Sequence, residues 1–233
     1  MALAILGEIP TEESGKILAA HANGTLTATR VEALIGLGKI ARPETYGAVR
    51  TALGARERVV KNNAAIAAQT FRESGAAKVA ILDVDYHHGN GTQTIFYDRP
   101  DVLFCSLHGH PSQEFPFFLG YEDETGEGAG EGFNVNYPLH WGSGWDTWSE
   151  ALDDACRRIG AYGPDALVTS LGVDTFRDDP IAQFTLDSPN YLEIGQKIAA
   201  LGRPTLFVME GGYAVEEIGI NAVNMLMGFE EAG

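Results

Sequence analysis

The chain has few cysteines and no long apolar run, and each shortage excludes a class of protein. Among 233 residues there are two cysteines, Cys105 and Cys156, both in apolar contexts and without CxxC spacing. We therefore expect no disulfide framework and a reducing, cytoplasmic compartment. No run approaches the ~18 apolar residues that a membrane span needs. The first ten residues have only a short apolar patch and no basic stretch, which does not fit a signal peptide.

Positive charge is also scarce. Lys and Arg number 16 against 32 Asp and Glu, a formal net charge of −16. Such a field disfavours binding to nucleic acid or to an anionic membrane and would attract a cationic ligand. Solubility alone is the alternative explanation, and composition does not separate the two. A hydrophobic content of 45% argues against disorder, and the length suits an α/β domain with a sizeable core.

The first 57 residues are rich in Ala and Gly and contain no chemical motif. Their single histidine, His21, fits a surface helix better than a ligand site. We expect one domain over residues 1–233, with an atypical N-terminal helical segment at 1–61 and an α/β core at 62–233. The N-terminal segment shows helical patterns at about 11–23, 29–40 and 46–60.

From residue 62 onward, helical and strand patterns alternate. This alternation predicts a parallel sheet covered by helices on both faces, a three-layer α/β fold with right-handed crossovers. The segment 134–139 is the predicted edge strand. The other predicted strands are 78–82, 102–107, 166–171 and 205–209, and the predicted helices are 62–71, 92–97, 146–159, 187–201 and 215–229.

Polar side chains follow the predicted strands directly. The carboxyl ends of parallel strands share one edge of a sheet, where ligands bind. Helix capping is the alternative, but it does not easily explain four such coincidences. The groups are Asp85 with His87, Ser106 with His108, Asp174 alone, and the stretch 210–213 (Glu-Gly-Gly-Tyr).

Asp85 and His87 stand two residues apart, so an extended backbone would point both side chains the same way. With Asp174 from another strand end they would form a site of two carboxylates and one imidazole. Such a zinc site leaves a position open for water. An isolated Asp-x-His is more often a helix-capping Asp and a surface His. Here the polar residues that follow the other predicted strands make a metal site the favoured interpretation. Asp83 shares the phase of Asp85, and we expect it to serve a second cation or to hold a histidine.

Two aromatic residues are candidates for the same cleft. Tyr213 follows two glycines, so a tight turn can present its hydroxyl to stabilise an oxyanion, although Gly-Gly-Tyr by itself is usually only a turn. Phe115 lies in a long loop, 109–132, and would either wall a narrow tunnel or anchor the loop. The glycines at 126–132 alternate with acids and follow no strand, which excludes a phosphate site. His88 should point away from His87 and bond structurally.

Six segments carry a resemblance to a known family. The segments are 83–93 (DVDYHHGNGTQ), 106–109 (SLHG), 115–121 (FPFFLGY), 126–132 (GEGAGEG), 171–175 (LGVDT) and 210–213 (EGGY). They resemble the histone deacetylase superfamily and, within it, the bacterial acetylpolyamine amidohydrolases. The resemblance covers residues 62–233 and implies the arginase/deacetylase fold and hydrolysis of an N-acetyl amide to acetate and a free amine. It also implies that Asp85, His87 and Asp174 bind zinc, that Tyr213 polarises the acetyl carbonyl, and that Phe115 lines the tunnel.

The resemblance further implies structural potassium. One ion would be held largely through backbone carbonyls, and a second would lie near Phe96, Arg99 and Val102. In the family the long loop often contributes to a dimer that narrows the tunnel. A homodimer is therefore one of the oligomeric states that the sequence leaves open. The first potassium site would comprise Asp83, Asp85, His87, Ser106 and Leu107.

One family feature is missing. The family carries a Pro-Gly-His-His segment before the Asn-Asn-Ala-Ala that matches 62–65, and its histidines supply the general base, whereas residues 46–61 contain no histidine. A general base contributes ~10²–10⁴-fold, so zinc and tyrosine alone should leave weak turnover. Our first hypothesis is an impaired zinc deacetylase of small cationic acetylated amines. The alternative is a non-catalytic relative that binds zinc and ligand. An arginase-like manganese enzyme is disfavoured because it needs more Asp and His ligands.

Overall fold

The computed structural model describes residues 63–233. The chain divides after Ile66, and the unit Ala67–Gly233 contains every strand described below. The helices predicted between residues 11 and 60, His21 and the histidine-free stretch 46–61 lie outside the described residues. Within residues 63–233, no helix is both long and apolar enough to cross a bilayer.

Within residues 63–233, five parallel strands form one sheet in the order β3-β2-β1-β4-β5. All residues of β1, β2 and β4 are buried, as their mainly apolar sequences without polar alternation predict for a sheet covered on both faces. The segment predicted as an edge strand, β3, does lie at an edge. The strands are β1 Val79–Asp83, β2 Val102–Gly109, β3 Asn134–Leu139, β4 Ala166–Leu171 and β5 Thr205–Met209.

Helices flank the sheet and connect its strands, except that the long loop joins β2 to β3. The predicted elements agree with the structure to within a few residues at each end. The largest differences are at α3, which is a turn longer than predicted, and at α5, which begins and ends three residues later. The helices are α1 Asn63–Glu73, α2 Asn90–Phe96, α3 Trp145–Tyr162, α4 Ser188–Ala199 and α5 Ile218–Ala232.

The apolar stripe of α3 packs into the main core. Its four residues at helical spacing, Trp148, Leu152, Ala155 and Ile159, are fully buried, as their periodicity predicts. They share one core cluster with alternate residues of β1, β2 and β4 and with the inner faces of α4 and α5. Burying these side chains removes the largest apolar area from water and stabilises this side of the sheet.

Strand order places the site. The chain runs from β1 outward to β2 and β3, then returns to the other side of β1 for β4 and β5. The direction therefore reverses between β1 and β4. At such a reversal the connections leave in opposite directions and open a crevice at the carboxyl ends of the strands.

Candidate active site

Asp85 and His87 follow β1 at this crevice, in a bend and not in the extended backbone that their spacing predicted. In this bend, a backbone N–H bonds to the aspartate side chain two residues earlier in the chain. The Asp85 N–H donates to Asp83 Oδ1 at 3.2 Å, and the His87 N–H donates to Asp85 Oδ1 at 2.8 Å. Aspartates commonly accept bonds from the backbone two residues on. These local bonds, and not the strand pleat, bring Asp85 and His87 together.

Asp174, which follows β4, completes a cluster of three potential metal ligands. One ligand atom each from Asp85, His87 and Asp174 lies within 4.8 Å of the others. The His87 Nδ1 is 3.3 Å from Asp174 Oδ2 and 3.6 Å from Asp85 Oδ1. Backbone donors hold both carboxylates: Tyr86 N–H bonds Asp174 Oδ1 at 2.9 Å, and Gly211 N–H bonds Asp85 Oδ2 at 2.8 Å.

The electrostatics of the cluster favour a cation. Burial, together with the neighbouring charge of Asp85, raises the pKa of Asp174 to about 6, although the hydrogen bond to His87 lowers it. Burial disfavours a charged His87, yet its bonds to Asp174 and Asp85 raise its pKa to about 10. Burial and the charge of Asp85 also raise the pKa of Asp83 well above its usual range. Three acids in a poorly solvated site therefore need a bound positive charge.

Glycines leave room for that charge. A Cβ on Gly211 would stand 2.5 Å from an Oδ2 of both Asp85 and Asp174, and a Cβ on Gly172 would stand 2.5 Å from Asp85 Oδ2. The space in front of the two carboxylates is thus kept free by two residues without side chains. Oxygen and imidazole donors with open space in front fit a divalent ion such as zinc.

Tyr213 lies beside this cluster, at the end of the loop that follows β5, and its side chain is 47% exposed. Gly212, at φ 153°, directs the turn, and a Cβ there would collide with Val173. Desolvation and then the charges of Asp174 and Asp85 raise the pKa of Tyr213. The phenol therefore stays protonated at neutral pH and can donate a hydrogen bond.

Asp179 positions this turn and was not identified from the sequence. Its Oδ2 accepts the Tyr213 N–H at 2.8 Å, and its Oδ1 accepts the Ile181 N–H at 3.0 Å. The carboxylate is nearly buried. The only local signal near Asp179 is the stretch Asp178-Asp179-Pro180, which is typical of a turn. It does not indicate which residue Asp179 bonds.

The residues expected to bind the first potassium ion lie near the carboxyl ends of β1 and β2. Asp83 stands opposite Ser106 in the parallel register, and Leu107 follows in β2, fully buried. For the second expected site, the Arg99 N–H donates to the Phe96 carbonyl at 3.0 Å and its guanidinium covers the Phe96 ring at 5.1 Å.

His108 is bonded at both ring nitrogens. Its Nε2 donates to the Gly120 carbonyl at 2.9 Å, so its Nδ1 accepts from the Ser106 hydroxyl at 2.8 Å. Burial, with the nearby His88, lowers the pKa of His108 to about 3. Its ring lies 4.4 Å from that of His88. This neutral, buried histidine is structural and holds the long loop at Gly120.

His88 also bonds structurally, as predicted. Its Nε2 lies 3.0 Å from Gln93 Oε1, which also accepts from the side-chain amides of Asn134 and Asn136 at 3.0 and 2.9 Å. The Gln93 amide in turn donates to Glu124 in the long loop. We name Gln93, Asn134, Asn136 and Glu124, with His88 and His108, the loop-base network.

Phe115 is 50% exposed on the long loop. Its N–H bonds Glu114 Oε1 at 3.0 Å, and the Tyr86 hydroxyl bonds Glu114 Oε2 at 3.2 Å. Tyr86 stands between the two candidate ligands Asp85 and His87, so this bond ties the aromatic segment to the metal cluster. Sequence reasoning did not identify Tyr86, because only the fold brings it to Glu114.

Known proteins share this sequence and fold. The chain is 72% identical over 171 residues to acetylpolyamine amidohydrolase 1 of Pseudomonas aeruginosa, and 59% identical over 167 residues to the acetylpolyamine amidohydrolase of Mycoplana ramosa. The matches cover 73% and 72% of this chain and 49% of each relative. The crystal structure of acetylpolyamine aminohydrolase from Burkholderia pseudomallei aligns with a TM-score of 0.72 at 47% identity, over 73% of this chain and 50% of that one.

The chain spans about half the length of the relatives it matches. Its five parallel strands with flanking helices have the fold of these deacetylase structures. The family model for the histone deacetylase domain matches residues 59–228, which include the metal cluster and Tyr213. The chain therefore belongs to the histone deacetylase family.

Proposed function

We propose that this protein is a zinc-dependent deacetylase of small cationic acetylated amines, with turnover limited by the missing histidine pair. The observation that carries the proposal is the Asp85–His87–Asp174 cluster at the crevice between β1 and β4. Its relatives are named for action on acetylpolyamines. The net charge of −16 suits a cationic substrate.

Each residue of the site has a distinct part in this proposal. Asp85, His87 and Asp174 would hold zinc, which supplies an acidified water and polarises a carbonyl. The Tyr213 hydroxyl donates a hydrogen bond to the oxygen that becomes negative when water attacks the acetyl carbon. The C–N bond then breaks, the amine leaves with a proton, and acetate remains. Asp179 keeps Tyr213 in place through its backbone.

The proton transfer is the weak step. His108 is bonded at both ring nitrogens and His88 is bonded at its Nε2 within the loop-base network, and residues 46–61 contain no histidine. This absence favours a second candidate function, a non-catalytic protein that binds zinc and acetylated amines. Potassium at Asp83, Ser106 and Leu107, with Asp85 and His87, belongs to the proposal as an expectation from the family, as does a homodimer through the long loop. A cytoplasmic location belongs to it as an expectation from the cysteine content.

One experiment separates these candidates. The purified chain is loaded with zinc, its metal content is measured, and acetate release from a monoacetylated diamine is followed at high enzyme concentration. We expect one zinc per chain and slow release that a chelator abolishes. His87→Ala should lose the zinc, whereas His140→Ala, at an exposed position outside the cluster, should keep it.

Each outcome decides. Zinc with ligand binding but no acetate supports the non-catalytic relative. Two manganese ions per chain would support an arginase-like enzyme. A chain that binds no metal refutes both proposals.

A further inference from the structure

Tyr86 joins the metal cluster to side chains that the proposed reaction does not use. Its backbone lies between Asp85 and His87, and its N–H donates to Asp174 Oδ1 at 2.9 Å. Its ring stands edge-on to the His87 imidazole, with ring centroids 5.0 Å apart and an interplanar angle of 89°. The ring is fully buried and also packs edge-on against Phe184, with centroids 4.7 Å apart. These contacts fix the ring relative to the cluster.

The phenol end of Tyr86 holds two separate segments of the chain. Its hydroxyl donates to Glu114 Oε2 at 3.2 Å, and the Trp141 side chain also hydrogen-bonds this phenol. Glu114 Oε1 accepts the N–H of Phe115 at 3.0 Å. The Trp141 N–H in turn donates to Gln113 Oε1 at 3.2 Å. One buried hydroxyl is therefore a common partner of the long loop and of the segment that follows β3.

Glycine at the end of β2 leaves room for this arrangement. The Gly109 N–H donates to the Tyr86 carbonyl at 2.8 Å. A Cβ on Gly109 would stand 3.0 Å from Tyr86 Cζ and 3.2 Å from Glu114 Cβ. Since Cζ is the ring carbon that carries the hydroxyl, any side chain at this position would press on the phenol and the carboxylate chain together.

The two segments held by Tyr86 each expose an aromatic ring. Phe115 is 50% exposed and Trp141 52%. Both residues lie one tyrosine side chain away from the metal cluster, where a chain attached to a metal-bound group would leave the site. Small-molecule sites are lined mainly by apolar and aromatic side chains. We name Phe115 and Trp141 the aromatic rim.

We propose that Tyr86 is a positioning residue that orders the aromatic rim for the alkyl chain of a metal-bound ligand. This inference rests on the proposed function and deepens it, because it makes chain length a determinant of binding. A rim that is ordered before the ligand arrives loses less conformational freedom on binding, which improves affinity. The rim reads the chain and not its charge, since both oxygens of Glu114 are already bonded, to Tyr86 and to Phe115.

The test is ligand binding to the zinc-loaded chain and to its Tyr86→Phe variant, which keeps the ring and removes the hydroxyl. Calorimetry compares acetohydroxamate, which reaches only the metal, with hexanohydroxamate and its ω-amino derivative, which add a neutral and a cationic chain. We expect Tyr86→Phe to weaken both chain-bearing ligands by ~3–10-fold, as the loss of one hydrogen bond predicts. The affinity for acetohydroxamate should not change.

Two further variants sharpen the comparison. Tyr137→Phe is the matched control, because it loses a phenol–carboxylate bond of 2.8 Å to Asp154 of α3, away from the rim. It should leave all three affinities unchanged. Gly109→Ala presses on the bond between Tyr86 and Glu114 without removing it, and it should reproduce the pattern of Tyr86→Phe.

A second measurement needs no metal. In the metal-free chain, we expect hydrogen exchange at residues 113–118 to be faster in Tyr86→Phe and unchanged in Tyr137→Phe. Unchanged exchange in Tyr86→Phe would overturn the positioning role whether or not the chain binds zinc. A chain that binds neither zinc nor hydroxamate refutes the proposed function alone, and exchange then decides the role of Tyr86.

The pattern of affinities also separates the alternatives. Equal weakening of all three hydroxamates by Tyr86→Phe overturns the proposal, because Tyr86 would then act on the metal ligands. Weakening confined to the cationic ligand overturns it as well, because Glu114 would then serve as a charge partner. Weakening of both chain-bearing ligands alone supports the ordered rim.

Discussion

Tyr213 is the residue whose chemistry depends most on its neighbours. Asp179 fixes its backbone, and desolvation together with the nearby carboxylates raises the pKa of its phenol. A hydroxyl that stabilises only the oxyanion affects turnover and leaves the metal untouched. Its role can therefore be separated from that of the three ligands.

We expect Tyr213→Phe to lower acetate release by ~10²–10³-fold with zinc content unchanged, measured by metal analysis beside the assay. Tyr97→Phe, in the residue that follows α2, is the matched control and should keep full activity. Equal activity in the Tyr213 variant would exclude the hydroxyl from catalysis.

His108 should make stability depend on pH. Its pKa is about 3 in the folded chain and about 6.5 when unfolded, so the unfolded state binds its proton first as pH falls. The contribution is complete above about pH 6.5 and declines toward pH 3, by up to ~1.4 kcal/mol per pH unit. We expect His108→Gln to be less stable at pH 7 but to show a shallower decline in urea denaturation between pH 7 and 4. An unchanged slope in His108→Gln would contradict the assignment.

At the scale of elements, the contact between α4 and α5 depends on glycine. A Cβ on Gly228 would meet the Leu192 carbonyl, and one on Gly195 would meet the Met225 carbonyl. Two helices can approach this closely only where side chains are absent. The close contact fixes how α5 lies against the sheet, and with it the direction of its exposed face.

We expect Gly228→Ala to lower the free energy of unfolding by ~1–3 kcal/mol through overpacking. The matched control is Gly219→Ala in the same helix, where a Cβ would meet nothing within 4 Å. That change should be neutral or stabilise by up to ~1 kcal/mol, because alanine favours the helix. Urea denaturation measures both, and equal effects would refute the packing argument.

At the scale of the whole molecule, the net charge of −16 should act on ligand binding over distance. Screening shortens the range of such a field from ~10 Å at 0.1 M salt to ~3 Å at 1 M. We expect the Kd of a cationic acetylated amine to rise several-fold across this range. A neutral acetylated amide of equal length is the control and should change little. Calorimetry measures both, and parallel salt dependence would show that the charge serves solubility alone.

The sequence alone determined the local elements and the identity of the candidate ligands. Short, mainly apolar segments with Leu and Val mark β4 and β5 to the residue, and the period of α3 marks its buried face, because both patterns reflect neighbours along the chain. Asp85, His87 and Asp174 were found because each follows a strand of a parallel sheet.

Only the tertiary structure decided how these parts meet. The bond from Tyr213 to Asp179, the bond from Tyr86 to Glu114 and the bonds from Asn134 and Asn136 to Gln93 join residues 28 to 43 positions apart, and no local pattern encodes such pairs. Among residues 63–233, the order of the strands leaves β5 at an edge although its composition is that of an interior strand. Periodicity reports whether a side chain prefers burial, whereas the partner that buries it depends on strand order and on the segments available to pack.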